Sequence, residues 1–185
     1  MQVDLKALGM IEFNSIAAGI HAADCMAKAA RIEPMFLKTI CPGKFLAAVH
    51  GEIASVQSSI EAGKSCAAES VVDHFVIPNI NLPVVKAMTG TSTGIHGPAV
   101  GVIETFSVPS AVLAADYASK AADVFISDVR IAMGLGGKGF CLLSGDVAAV
   151  EAAVAAGSAS AKESGLLVWS VVIPAMDAQV KQFVL

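Results

Sequence analysis

The chain has 185 residues, a net charge of −4 and a pI near 5.5, which argues against a nucleic-acid surface. Apolar residues make up 55% and charged ones 15%, against about 45–50% and about 25% in ordinary globular chains. No stretch supplies the ~20 apolar residues of a membrane span, and Met1–Lys6 lacks the basic start and apolar core of a secretory signal, so a cytosolic setting is expected.

The first predicted element is a short strand over Leu8 to Phe13. Ser15 can cap a helix whose apolar face is Ile16, Ile20, Ala23, Ala27 and Ala30. Pro34 to Ile40 is a strand, Cys41-Pro42-Gly43 a turn, and Lys44 to His50 the partner strand. Ile53, Val56, Ile60 and Ala67 line one face of a second helix. A last strand, Val71 to Ile77, stops at Pro78. Thr89 to Pro98 is a linker by composition.

The pattern then starts again. Gly9-Met10-Ile11-Glu12 returns as Gly101-Val102-Ile103-Glu104, Ala22-Ala23-Asp24 as Ala114-Ala115-Asp116, and Lys28-Ala29-Ala30 as Lys120-Ala121-Ala122, all 92 residues on. The second copy predicts a strand over Val100 to Phe106, a helix over Val108 to Ala122 and a strand over Val124 to Ala132. A Gly-rich turn at Met133–Lys138, two residues longer than its counterpart, precedes a strand over Gly139 to Ser144. A helix with Val147, Val150, Val154 and Ala161 on one face follows, then a strand from Leu166 to Ile173. A period this long marks a duplicated domain, expected at 1–93 and 94–185. The fold class is an α/β or α+β layer fold, with helices on one face of a sheet. Two domains of this size lack the interior volume to hide the Ala and Val excess, so part of it is assigned to a subunit interface.

Few segments carry chemistry. Gly134-Leu135-Gly136-Gly137-Lys138-Gly139 fits G-x-G-x-x-G, but it leads into a strand, whereas a dinucleotide fingerprint must open a helix. Gly63-Lys64-Ser65 lies inside a helix pattern and lacks the first Gly of a phosphate loop. His21, His50, His74 and His96 show no metal or acid–base spacing, and no catalytic arrangement is expected. Glu12 and Glu104 recur by duplication, and a fold-holding hydrogen bond explains that as well as catalysis would. In a cytosolic setting Cys25, Cys41, Cys66 and Cys141 are expected as reduced thiols or ligands rather than disulfides. Cys25, Cys66 and Cys141 fall within elements and are expected as small buried hydrophobes. Cys41 differs: Pro42 and Gly43 can hold its sulfur outward, with Lys38 and Lys44 nearby. Iron–sulfur clusters take four thiolates as a rule, so one chain cannot hold one on this turn alone.

Taken together, the Gly-x-Ile-Glu strands, the Ala-Ala-Asp-x-x-x-Lys helices, Gly51-Glu52-Ile53, Gly145-Asp146-Val147 and Val172-Ile173-Pro174 resemble bacterial microcompartment shell proteins of the tandem-domain, trimer-forming kind. The resemblance covers nearly the whole chain, in unpermuted order. It implies two shell domains, a ferredoxin-like variant, and a pseudo-hexamer of three chains in the shell of a compartment within the cytoplasm. Thr39–Lys44 is similar to the pore turn of the propanediol-utilisation-type trimer, which holds an iron–sulfur cluster. That likeness implies a pore lined by Ile40, Cys41, Pro42 and Gly43 alternating with Gly134, Leu135, Gly136 and Gly137. It further implies one 4Fe-4S cluster per trimer, on three Cys41 thiolates and a non-protein fourth ligand. Its work would be electron transfer across the shell or cluster delivery to encapsulated redox enzymes. Lys28 and Lys120 would be tile-edge lysines facing other shell proteins. One departure stands out: Pro78-Asn79 and Pro174-Ala175 lack the Arg that many shell domains place after the last strand. Two rivals are a tile with an open, metabolite-conducting pore and a small-molecule-binding α/β protein using the Gly-rich loop.

Overall fold

A computed structural model describes residues 5–92, 94–131 and 134–184. Thr93, at the expected domain boundary, and Ala132 and Met133, expected at a strand end and the start of the Gly-rich turn, lie outside the described residues. The chain forms two compact units. Unit 1 is residues 1–80 with 133–137, and unit 2 is 81–132 with 138–185.

In unit 1 the elements are β1 (Ala7–Phe13), α1 (Ile16–Ala29), β2 (Glu33–Ile40), β3 (Lys44–Gly51), α2 (Ile53–Cys66) and β4 (Val71–Pro78). The antiparallel sheet runs β2-β3-β1-β4. Ser15 caps α1 as expected, its Oγ accepting from Ala18 N at 3.3 Å. The helices pack through Ala22, Met26, Val56 and Ile60 onto Ala7, Ile11 and Phe13 of β1. Gly9 explains the first residue of the repeated Gly-x-Ile-Glu: a Cβ there would stand 2.6 Å from Val56 Cγ1. The helix layer sits too close to the sheet for any side chain at that point.

Unit 2 begins with α3 (Leu82–Met88) and continues with β5 (Ala99–Thr105), α4 (Val108–Ala121), β6 (Phe125–Ile131), β7 (Gly139–Gly145), α5 (Val147–Glu163), β8 (Leu167–Ile173) and α6 (Ala178–Val184). Its sheet order, β6-β7-β5-β8, copies that of unit 1. Gly101 repeats the role of Gly9, with Val154 Cγ2 2.5 Å from a Cβ position. Ser107 repeats the cap, accepting from Ser110 N at 3.2 Å.

The face expected for α1 needs correcting. Its buried residues are Gly19, Ala22 and Met26, whereas Ile16 and Ile20 are exposed, Ile20 by 56%. The sheet side of α1 is lined by small residues because the helix lies close: a Cβ on Gly19 would meet Phe45 Cβ at 2.5 Å. The isoleucines form a second, lateral stripe. In unit 2 the equivalent Val108 and Val112 are wholly buried. There α3, a helix the composition did not suggest, packs against α4 and β6 through Val84, Ala87 and Met88. In α2, Ile53 is likewise exposed and Ser59 and Gly63 join Val56 and Ile60 on the buried side.

The other unanticipated helix, α6, stands in the place of α3, 96 residues on. Val180, Phe183 and Val184 occupy the positions of Val84, Ala87 and Met88, yet Val180 is 49% and Phe183 82% exposed. Among the described residues no helix is long and apolar enough to cross a membrane.

Candidate functional site: the turn at Cys41

The turn at 41–43 joins β2 to β3, with Ile40 paired opposite Lys44. Ile40 is buried and anchors the turn; Cys41, Pro42 and Gly43 are exposed. The Cys41–Pro42 peptide is cis, and Gly43 has φ +73°, a left-handed conformation that glycine adopts without strain. Cys41 carries a free thiol. In the longer turn Gly134, Gly136 and Gly137 all have positive φ. A Cβ at Gly134 or Gly136 would meet nothing within 4 Å, and Leu135 is half-buried. Residues 134–137 belong to unit 1, where Lys44 Nζ donates to Gly137 O at 3.4 Å.

The charge around Cys41 differs from the expectation. Lys44 Nζ donates to Glu12 Oε1 at 2.6 Å, and Glu12 is fully buried on β1. Lys38 Nζ lies over the Phe36 ring, 4.8 Å from its centroid, and burial holds its ammonium below the usual lysine range. One cation is thus committed to a buried carboxylate and the other to an aromatic face. Unit 2 repeats the first pair: Lys138 Nζ lies 2.6 Å from Glu104 Oε1, though Glu104 is 32% exposed. Of the two readings open for the glutamates, these ion pairs match the fold-holding one. Their lysine partners were legible too, since Lys44 and Lys138 recur with the glutamates.

The remaining cysteines separate into two kinds. Cys141 is buried, as expected, and desolvation, aided by the charge of Asp128, pushes its thiol up to about 12. Cys25 and Cys66 are neither isolated nor fully buried. They form a disulfide joining α1 to α2, with Cα atoms 6.6 Å apart. His21, in which the sequence showed no metal or acid–base spacing, is beside them: Cys66 Sγ lies 3.6 Å from its Nδ1 and 3.7 Å from its Nε2. His21 and Cys25 lie one turn apart on α1, but only the pairing of two helices brings Cys66 to them, and spacing along the sequence carries no trace of that.

Of the other histidines, His50 Nε2 is 3.9 Å from Glu33, and the His96 ring lies against that of Phe125, tilted by 56°, with centroids 4.1 Å apart. Burial lowers the pKa of His74. Lys28 and Lys120 lie in the last turns of α1 and α4, each 2.6 Å from an aspartate one turn back, Asp24 and Asp116. Asp24 is exposed and Asp116 buried, where it also accepts from Asn81 N at 2.9 Å. A cleft of about 320 Å³ in unit 2 is lined by His96, Asp123, Phe125 and Asp146, among others, and by no residue of the Gly-rich turn.

The family profile described as "BMC domain" matches residues 7–80 and 99–176, one match per sheet-and-helix unit. This chain belongs to the BMC-domain family. The curated relatives include shell proteins. The bacterial microcompartment shell protein PduT of Citrobacter freundii is 44% identical over 169 residues, spanning 91% of this chain and 92% of that one. EutM of Salmonella typhimurium, also a bacterial microcompartment shell protein, is 38% identical over 76 residues, 40% of this chain and 79% of its own. Among solved structures, a microcompartments protein from Desulfitobacterium hafniense DCB aligns with a TM-score of 0.82 and 46% identity, covering 95% of this chain and 98% of that one. The BMC protein described here is thus a structural shell protein of a bacterial microcompartment, with two BMC domains in tandem.

Proposed function

We propose that this shell protein forms a pseudo-hexameric homotrimer whose central pore holds a 4Fe-4S cluster on three Cys41 thiolates. The observation that carries the reading is the inventory of thiols. Among the described residues Cys41 is the only free cysteine that is exposed, Cys141 being buried and Cys25 joined to Cys66. One sulfur per chain cannot hold a cluster, and three chains around an axis supply three. A small exogenous ligand completes the fourth iron. Such a cluster supplies one-electron chemistry, suited to moving electrons across the shell or to delivering clusters to redox enzymes inside. Cys41 binds the iron, Ile40 anchors the turn and Gly43 lets it fold back.

Support for a closed ring comes from the duplication. Ile16, Ile20 and Leu37 of unit 1 are exposed, whereas their counterparts Val108, Val112 and Val129 in unit 2 are buried on α4 and β6, the two elements against which α3 packs. The exposed Val180 and Phe183 of α6 are the matching insert without a seat in the same unit. In the proposed trimer α6 of each chain fills the seat on α1 and β2 of the next. Such a head-to-tail contact, repeated, closes into a ring. Lys28 and Lys120 then face neighbouring tiles.

Iron and acid-labile sulfide, measured on anaerobically purified protein, test the cluster. Four of each per trimer, with brown colour, is the expected result, and trimers of native fold free of iron would refute it. A second reading is a tile with an open pore. The empty space around Gly43, Gly134 and Gly136 favours it, and colourless trimers that pass small solutes would establish it.

A further inference from the structure

We infer that His21, Cys25 and Cys66 form a second metal site, one per chain, that takes Zn²⁺ when the Cys25–Cys66 bond is reduced. The site is independent of Cys41 and of the pore. His21 and Cys25 are four residues apart on α1 and therefore share a face. Cys66, the last residue of α2, comes alongside them. One ligand atom from each lies within 4.8 Å of the other two.

The distances suit a tetrahedral ion. Zn–S bonds of about 2.3 Å and Zn–N bonds of about 2.0–2.1 Å place ligand S and N atoms ~3.5 Å apart and two sulfurs ~3.8 Å apart. Cys66 Sγ already lies 3.6 Å from His21 Nδ1. The Cα separation of 6.6 Å leaves room for two separated sulfurs. Two thiolates and an imidazole are the donor set of a borderline-soft divalent ion rather than of Mg²⁺ or Ca²⁺. His21 is exposed, so water completes the fourth position.

The duplication supplies a control. At the equivalent positions unit 2 carries Leu113, Tyr117 and Ser160, which offer no such ligand set, yet α4 and α5 pair as α1 and α2 do. The helix pair therefore folds without the trio, and the trio belongs to unit 1 alone.

The chemistry balances in two steps. A low-molecular-weight thiol reduces the disulfide: two RSH supply two electrons and two protons, giving RSSR and two protein thiols. Zn²⁺ then displaces both thiol protons and takes the neutral imidazole, forming two Zn–S bonds and one Zn–N bond with release of two H⁺. The disulfide is the oxidised, metal-free form of the same pair.

Cobalt(II) reports on the site directly. The full-length Cys41→Ser chain, reduced with a phosphine, is titrated with Co²⁺ and then with Zn²⁺. The expected result is one Co²⁺ per chain, with thiolate-to-cobalt charge-transfer absorption and tetrahedral d–d bands, bleached by one equivalent of Zn²⁺. Adding Cys25→Ser or Cys66→Ser should abolish the spectrum, and His21→Ala should weaken binding at least tenfold. Circular dichroism checks that each variant remains folded. No cobalt spectrum from the reduced Cys41→Ser chain, or one that survives loss of Cys25 or Cys66, would overturn the assignment. The pore reading is untouched by either result, because Cys41 is absent from every arm.

Discussion

Phe183→Ala is the most direct probe of how the chains meet. Phe183 is 82% exposed in the single chain, so its loss takes nothing from the fold of unit 2. Seated on the neighbour's Ile20 and Leu37, the ring would bury most of its surface, a stabilisation of about 1.5–3 kcal/mol per interface. Removing one chain from a ring of three breaks two such contacts, so the variant should lose ~3–6 kcal/mol of trimer stability. At 1.4 kcal/mol per factor of ten, that is a dissociation constant raised by about 10²–10⁴-fold. Sedimentation velocity over a dilution series reads this shift, with circular dichroism checking that the chain remains folded. Ile20→Asp, on the opposite side of the proposed contact, should dissociate the trimer in the same way. Val84→Ala should not: Val84 is buried inside unit 2, so its loss should lower thermal stability by about 1–3 kcal/mol and leave the trimer intact. Trimers of Phe183→Ala and Ile20→Asp that persist at the dilution where the wild type begins to dissociate would refute the seating of α6.

Four further outcomes follow from the geometry. Cys41→Ser should abolish iron binding without affecting the trimer, whereas Cys141→Ser should leave iron content unchanged; inductively coupled plasma measurements on both variants decide this. Lys28→Asp should weaken the assembly of tiles into sheets seen by electron microscopy, while Lys120→Asp should also lower the melting temperature, because it sets a second carboxylate beside the buried Asp116. Glu12→Gln should cost about 1–3 kcal/mol in denaturant unfolding and Glu104→Gln less, since the first leaves Lys44 facing a buried neutral group and the second lies partly in water. Cys141 ionises near 9 when unfolded but only at about 12 when folded; the folded state therefore holds a proton that the unfolded state has lost, and stability should fall by about 1.4 kcal/mol per pH unit between those values. Cys141→Ala should remove that slope from the pH dependence of unfolding.

Much of the architecture was legible because it was written twice. The recurrence of Gly-x-Ile-Glu marked the two copies, and Ser15 marked a helix start that Ser107 repeats in the structure. The turn at Cys41 was legible from Pro42 and Gly43. The lateral stripe of α1 was not: Ile16 and Ile20 carry helical periodicity, but periodicity cannot say which of two apolar sides meets the sheet. Helices α3 and α6 are only seven residues each, too short to show a period, although Pro83 stands in the first turn of α3, where proline is favoured. The grouping of His21 with Cys25 and Cys66 depends on one helix lying beside another, a relation that no single segment records.

The two unlike turns bear on valence. A ring of six identical single-domain chains must repeat whatever its turn carries six times, so a cysteine there would crowd six sulfurs around one axis. In the proposed ring of three duplicated chains, symmetry would demand only threefold repetition. One turn would then be free to hold Cys41 and the other to shrink to glycine. The number of sulfurs offered to an ion would thereby be separated from the width of the opening around it. In the proposed trimer, changes at Gly134 or Gly136 would tune clearance while the ligand count remained at three, and a new side chain at either position would enter space that no neighbouring atom of the chain occupies.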